Sequence, residues 1–141
     1  MKFKLFSILF LITMTLSTLW AGMMPPKDEM AALDKQIDKL MLAFNDKDTK
    51  VFYSDWSKSM AALCTPAMFK MMFVDMHMKK YGKYVSREII EAETVVIANQ
   101  PNALLVYKAE FEKNKKVKLA INLIKEDGKW KIQQVSLVDI P

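Results

Sequence analysis

The sequence predicts an α+β domain in which three N-terminal helices pack on one face of a curved, four-stranded antiparallel meander sheet, with a cone-like shape overall. Two observations predict this class. Up to Gly82 the apolar side chains recur with the 3.6-residue period of helices, and from Tyr84 onward they alternate with the two-residue period of strands. The 141 residues suffice for one domain with a substantial core, and 52% hydrophobic residues exclude a disordered chain.

The N-terminus has the features of a secretory signal peptide, which we predict over residues 1–22. Lys2 and Lys4 precede an apolar stretch of about 15 residues, and the small residues Ala21 and Gly22 follow it. This stretch is shorter than the roughly 20 residues of a membrane-spanning helix. We therefore expect cleavage after Ala21 or Gly22 and no stable membrane span afterwards, with an uncleaved anchor as the alternative. The expected location is periplasmic or secreted, in a bacterium.

The charge balance excludes nucleic acid as an expected partner. The whole chain has 21 basic and 16 acidic side chains, and loss of Lys2 and Lys4 with the signal leaves 19 basic ones. Nucleic-acid-binding domains rely on a strong excess of Lys and Arg to neutralise phosphates. Such a small excess in an exported chain does not fit that class.

Residues 23–29 are predicted as a flexible tail and residues 30–141 as a single domain. The first helix is expected over residues 28–44, where apolar side chains form one stripe. The stripe consists of Leu33, Ile37, Leu40 and Phe44. Asp48 is a typical N-cap for a short second helix. The apolar residues of that helix, four residues apart, are Phe52, Trp56 and Met60.

The third predicted helix has clear boundary signals. Thr65 is a typical N-cap, Pro66 suits the first helical position, and Gly82 ends the helix. Cys64 is the only cysteine, so an intramolecular disulfide is excluded. We expect Cys64 to pack as a small apolar residue beside the start of this helix, with a reactive or intermolecularly bonded thiol as the alternative.

Four strands with alternating apolar residues follow the helices. They are predicted over residues 85–98, 105–112, 117–123 and 130–138. Residues 99–102 are predicted as a turn and residues 113–116 as a charged connection. Asp127 and Gly128 suit the positive φ angles of a type I′ hairpin turn.

The last strand contains a change of parity. Trp130 and Ile132 lie on one parity, whereas Val135 and Leu137 lie on the other. A bulge adds one residue to a strand and so restores the original face. We therefore predict a bulge near residues 133–134 that bends this strand.

Four short segments carry a resemblance to a known family. They are residues 53–57 (YSDWS), 81–88 (YGKYVSRE), 111–115 (FEKNK) and 126–132 (EDGKWKI). With the order of helices and strands, they resemble the nuclear transport factor 2-like superfamily, the α+β cones that include ketosteroid isomerase, and most closely its small exported bacterial domains of unknown function. The resemblance spans about residues 30–139. It implies a cone-shaped fold, with functions across the superfamily that range from enzymes to binding and assembly modules.

An acid–base enzyme would need a carboxylate or His inside the cone, with a Tyr or a second acid to stabilise an oxyanion. The candidate catalytic residues are Asp55, His77 and Tyr107. No spacing in the sequence brings two acids together. Catalysis is therefore the alternative and not the leading interpretation.

Methionine is concentrated in the third predicted helix. Of the 12 in the chain, five lie between residues 68 and 78. The predicted core stripe of this helix is Phe69, Met72, Phe73 and Met76. Met71, Val74 and Met78 fall on the opposite face, and we predict that they form a ligand or partner surface, because Met adapts well to varied contacts.

The same helix offers a candidate copper site. Met68, Met72 and Met76 are spaced four residues apart, and His77 is adjacent. Thioethers are soft ligands that suit Cu(I). A copper-binding module is therefore a second alternative, although no cofactor is the main expectation.

The leading functional prediction is a non-catalytic binding or accessory domain. Its expected partner is a small apolar molecule or an envelope protein. Self-association into a homodimer through the sheet or the third helix is a further expectation.

Overall fold

The computed structural model describes residues 24–141, so the signal peptide predicted over residues 1–22 lies outside the described residues. Here helices precede a four-stranded antiparallel sheet with the strand order β1-β2-β3-β4, and the α+β class is confirmed. The helical elements are α1 (Lys27–Asp46), α2 (Thr49–Phe52), a 3₁₀ helix (Lys58–Leu63), α3 (Pro66–Phe69), a π-helix (Lys70–Met78) and α4 (Lys79–Tyr81). The strands are β1 (Tyr84–Ile97), β2 (Gln100–Phe111), β3 (Asn114–Glu126) and β4 (Lys129–Asp139). No helix within residues 24–141 is both long and apolar enough to cross a membrane.

Helix α1 carries the apolar stripe that its sequence predicts. The four members, Leu33, Ile37, Leu40 and Phe44, are all buried in the core. The helix begins at Lys27, inside the segment predicted as a flexible tail, and continues to Asp46. Its apolar side therefore forms one wall of the core that the helices share with the sheet.

The predicted second helix is wrong beyond its first turn. Asp48 caps it as expected, because its carboxylate accepts a hydrogen bond from the Val51 N–H at 3.2 Å. However, α2 ends at Phe52. Trp56 lies outside the helix and forms a parallel β-bridge with Ile132 of β4.

The loop that follows α2 covers the edge of β4. The Ile132 N–H donates to the Asp55 carbonyl oxygen, and the Ser57 N–H donates to the Ile132 carbonyl oxygen, both at 2.8 Å. Met60 then lies in the 3₁₀ helix instead of the predicted α-helix. Because an edge strand has backbone groups that need partners, this pairing outweighs the four-residue spacing that predicted a helix.

Residues 66–81 form one uninterrupted helix, the Met-rich helix, which has the predicted ends. The Thr65 hydroxyl oxygen accepts a hydrogen bond from the Met68 N–H at 3.2 Å, and Gly82 follows the last residue with a φ of 78°. Between α3 and α4, however, the backbone forms a π-helix. Its hydrogen bonds span five residues rather than four, so each turn holds more residues than a turn of an α-helix.

The wider turn changes which side chains of the Met-rich helix are buried. In this wider turn, residues at every fourth position lie on the same side of the helix, and one of these sides faces the core. That side carries Phe69, Phe73, His77 and Tyr81. The predicted core stripe is therefore correct for Phe69 and Phe73 but wrong for Met72 and Met76, which are 38% and 57% exposed.

Three two-residue turns connect the strands. Ala98 and Asn99 form the first with φ angles of 51° and 63°, so the turn begins one residue earlier than the predicted segment 99–102, and residues 100–102 belong to β2. The second turn is shorter than the predicted connection, because β3 already begins at Asn114. At the third, Asp127 and Gly128 have φ angles of 50° and 77°, which confirms the predicted type I′ turn.

The predicted bulge in β4 is confirmed. Gln134 lies opposite Asn122 while Ile132 lies opposite Leu123, so Gln133 is the extra residue. The apolar residues on both sides of the bulge consequently face the helices. Two register shifts that the sequence did not indicate interrupt β1, one between Tyr84 and Ser86 and one between Ile89 and Glu91.

The helix-facing side of β1 is less covered than that of the central strands. On β2 and β3 this side carries the buried residues Leu105, Tyr107, Leu119 and Ile121. Ile89 of β1 lies opposite Tyr107 in the sheet, yet it is 44% exposed. The incomplete cover leaves a groove between α1 and β1.

Candidate functional site

The groove between α1 and the first half of β1 has a volume of about 560 Å³. Met30, Val85 and Ile89 supply its apolar lining. Its polar lining consists of Asp34, Asp38, Tyr84, Ser86, Arg87 and Tyr107. A concave surface that combines apolar area with a few convergent polar groups is typical of a small-molecule site.

Arg87, the only arginine of the chain, connects β1 to α1 across this groove. In the sheet it lies opposite the buried Ala109, so it is on the helix-facing side of β1. Its Nη1 donates to Asp38 Oδ1 at 2.6 Å, and its Nη2 lies 3.7 Å from Asp34 Oδ1. Nη1 also donates to the Tyr84 hydroxyl oxygen at 3.0 Å. The guanidinium is thus engaged by groups of α1 and of its own strand.

The two aspartates reach one guanidinium because they are four residues apart on a helix and therefore lie on the same face. Burial acts to lower the pKa of Arg87, but the hydrogen bonds with Asp38 and Tyr84 outweigh burial and raise it above its ordinary value. Arg87 is therefore cationic at any physiological pH. Two carboxylates against one cation leave the groove with a formal charge of −1, which disfavours an anionic ligand.

Tyr107 lies at the inner side of the groove with 1% of its surface exposed. The Arg87 guanidinium carbon is 5.2 Å from the centre of its ring, at cation–π distance. Among the described residues, no acceptor is placed to receive a hydrogen bond from the Tyr107 hydroxyl. Burial, partly opposed by the charge of Arg87, raises the pKa of Tyr107 to about 12, so the hydroxyl keeps its proton. It is a buried donor without an acceptor.

The three predicted catalytic residues lie in different surroundings. Tyr107 is in the groove, whereas Asp55 is in the loop after α2 and forms an ion pair with Lys39 at 3.3 Å. His77 lies in the Met-rich helix, and its ring stacks with that of Tyr81 at 6.4 Å. Within residues 24–141, no described contact connects any two of these three residues, and no described groove is lined by two of them. The structure does not assemble the predicted acid–base set.

The partners of Tyr107 in the groove were not among the residues predicted from the sequence. The signal was present, because Arg87 is a lone arginine in an alternating strand and Asp34 and Asp38 are four residues apart in α1. The pairing joins residues 49 positions apart, from Asp38 to Arg87, and only the packing of α1 on the sheet creates it.

His77 gives the protein a predicted pH dependence. Burial, and then the positive charge of Lys80, lower the pKa of His77. The unfolded chain therefore takes up this proton more readily than the native protein, and stability should fall as the pH drops from about 7 towards 5, through the ordinary pKa of about 6.5. Urea unfolding of the wild type and of His77→Phe should show a smaller pH dependence in the variant across this range. Equal slopes for the two proteins would contradict the prediction.

The predicted surface of Met71, Val74 and Met78 is not a single exposed face. Met71 is 52% exposed, but Val74 and Met78 pack against the core. Met72 and Met76 are exposed to solvent, as Met71 is. The reason is again the π-helix, whose wider turn rotates these positions relative to an α-helix.

The candidate copper ligands are only partly brought together. Met72 and Met76 are exposed, and with Met68 they follow one side of the Met-rich helix. His77 is on the neighbouring side, where it stacks with Phe73 and Tyr81. In the part of the chain that the structure describes, no three His, Cys, Asp or Glu side chains are grouped so that they could hold a metal ion.

Comparison with models of known protein families returned no match, and comparison with curated proteins returned none either. The resemblance to the nuclear transport factor 2-like superfamily therefore stays a prediction from the sequence. One fold can host many functions, so a resemblance in fold does not by itself assign a function.

Proposed function

We propose that this chain is a non-catalytic binding domain that holds a small, uncharged and mostly apolar molecule in the groove between α1 and β1. The observation that carries the proposal is the buried Tyr107 hydroxyl, which is protonated and lacks an acceptor. An unsatisfied buried hydroxyl costs about 1–3 kcal/mol. A ligand with a carbonyl or ether oxygen would supply the missing acceptor.

The charges around the groove support an uncharged ligand. Arg87 is already engaged by Asp34 and Asp38, so its guanidinium is not free to bind a carboxylate. The exposed apolar side chains at the groove, Val85 and Ile89, favour a ligand with apolar surface to bury. Because the Tyr107 hydroxyl is covered, the ligand must displace a lining side chain to reach it.

Acid–base catalysis is less well supported. The other two candidate catalytic residues, Asp55 and His77, lie in other parts of the molecule, away from Tyr107. The carboxylate that is closest to Arg87, on Asp38, is held by a hydrogen bond of 2.6 Å. A general base must be able to approach the proton that it removes, and this carboxylate serves instead to position Arg87.

Export and a cone-shaped sheet belong to the same proposal. The signal-like residues 1–22 support a periplasmic or secreted location. Bulges bend strands and increase their twist. Those in β1 and β4 would curve the sheet around α1 into the cone that the sequence predicts.

The substitution Tyr107→Phe tests the proposal, since it removes only the hydroxyl. Nile red is a suitable probe, because it is uncharged, largely apolar and carries a carbonyl acceptor. We expect its fluorescence titration to show binding to the wild type and roughly five- to tenfold weaker binding to Tyr107→Phe, the value of one hydrogen bond. Without the probe, the variant should be at least as stable as the wild type, because an unpaired polar group is lost.

Tyr81→Phe is the matched control, because it removes a hydroxyl from a tyrosine that lines none of the described grooves. It should leave Nile red binding unchanged. Equal affinity of wild type and Tyr107→Phe would overturn the proposal, as would an absence of Nile red binding to the wild type.

A further inference from the structure

A second groove, with a volume of about 650 Å³, lies where α2, the 3₁₀ helix and the start of α3 meet. Tyr53, Trp56, Ala61 and Pro66 provide most of its apolar lining. Two lysines, Lys50 of α2 and Lys58 of the 3₁₀ helix, also line it. This groove has no lining residue in common with the groove between α1 and β1.

The charge of the second groove is opposite to that of the first. None of the described residues that line it is acidic. Lys50 forms no ion pair with any residue of the described range. The Lys58 ammonium lies 3.7 Å from Asp127 Oδ2, but both side chains are almost fully exposed. Such an exposed pair contributes little, so Lys58 can exchange it for an anion in the groove.

Trp56 adds a hydrogen-bond donor that has no acceptor. Its indole Nε1 is buried, and no described group accepts from it. An indole N–H can only donate. The parallel bridge to Ile132 holds the Trp56 backbone, and the ring lies 5.8 Å from that of Phe52 and 5.2 Å from that of Tyr53, so its position is well defined.

Two further titratable side chains of the groove, Tyr53 and Cys64, add no negative charge to it. Burial, and then the nearby Cys64, raise the pKa of Tyr53 to about 12, so its hydroxyl remains protonated. Burial also raises the pKa of Cys64, and its Sγ donates to the Met60 carbonyl oxygen at 3.2 Å. The thiol is thus a satisfied donor rather than a nucleophile.

One wall of the groove is suited to adjust around a ligand. The 3₁₀ helix contributes no buried residue to the core, and segments with few buried contacts open at low free-energy cost. The remaining walls, at α2 and Trp56, are held by the Asp48 cap and by the β4 bridge.

We propose that the second groove binds a small organic anion with a flat aromatic body, of the class of aromatic carboxylates and sulfonates. The apolar lining at Tyr53 and Pro66 takes the ring system, Lys50 and Lys58 attract the anionic group, and Trp56 donates to one of its oxygens. The inference does not rest on the function proposed for the first groove, whose charge disfavours such a ligand.

A pair of matched probes tests this site. 1-Anilinonaphthalene-8-sulfonate carries the required anion, and N-phenyl-1-naphthylamine has the same ring system without the sulfonate. We expect the double variant Lys50→Gln/Lys58→Gln to bind the sulfonate about tenfold more weakly, the effect of two surface charge contacts. Its affinity for the uncharged amine should stay within about twofold.

Two further variants locate the effect. Lys115→Gln/Lys118→Gln makes the same change of net charge on β3, away from the groove, and should bind the sulfonate as the wild type does. Trp56→Phe keeps an aromatic ring but loses the N–H, and it should weaken sulfonate binding several-fold. Equal sulfonate affinity of the wild type and Lys50→Gln/Lys58→Gln would overturn the inference. An equal loss in the β3 control would overturn it too, because the effect would then reflect net charge alone.

Discussion

Replacing Gly82 with alanine is expected to lower the free energy of unfolding by about 2–4 kcal/mol. Gly82 has φ 78° and ψ −159°, a backbone conformation that is essentially restricted to glycine. A Cβ atom at this position would also lie 2.9 Å from the Cβ of Glu112. Both effects act at the junction between the Met-rich helix and β1, where a hydrogen bond from the Lys113 N–H to the Tyr81 carbonyl oxygen ties the helix to the next turn.

Gly128→Ala is the control for this prediction. Gly128 has a similar φ of 77°, but no atom lies within 4 Å of the added Cβ. Its expected cost is about 1 kcal/mol, from backbone strain alone. Urea unfolding of both variants gives the comparison. If the two substitutions destabilise the protein equally, close packing at Gly82 is not the cause.

Phe73→Ala is expected to cost about 3–5 kcal/mol, the range for removing a buried aromatic side chain. Phe73 is 3% exposed, and its ring lies 4.6 Å from that of Phe52 and 5.9 Å from that of Phe69. Removal of this ring would leave a cavity between the Met-rich helix and α2. Chemical unfolding monitored by circular dichroism measures the loss.

The neighbouring substitution Met72→Ala tests the faces of the π-helix. Met72 is 38% exposed, so its truncation should change the free energy of unfolding by less than about 1 kcal/mol. In an α-helix with the predicted stripe, both residues would be in the core and both truncations would be costly. A loss for Met72→Ala as large as that for Phe73→Ala would contradict the π-helical arrangement.

The features that the sequence predicted correctly depend on short-range signals. Thr65 and Gly82 mark the ends of the Met-rich helix because capping is a matter of neighbouring backbone groups. The bulge at Gln133 follows from a parity change within a few residues, and the Asp127-Gly128 turn follows from the φ preference of its own residues. In each case the information lies within the segment itself.

The errors arise where distant parts of the chain compete with local preference. Four-residue spacing suggested that the second helix continues to Trp56, but pairing of that residue with Ile132 stabilises an extended loop instead. The 3.6-residue period placed Met72 and Met76 in the core. A π-helix that aligns Phe73 and Tyr81 with the sheet leaves both methionines at the surface.

By itself, the sequence determined the α+β class and the order of a helical region followed by four strands, because periodicity and alternation are properties of single segments. Only the tertiary structure decided which groups surround Tyr107. Arg87 reaches Asp34 and Asp38 because α1 packs across β1. The grooves that carry both proposals, at Tyr107 and at Trp56, likewise form between elements that are far apart in the chain. Complementary side chains from separate segments come into contact only when the core has formed, so no local sequence pattern predicts these contacts.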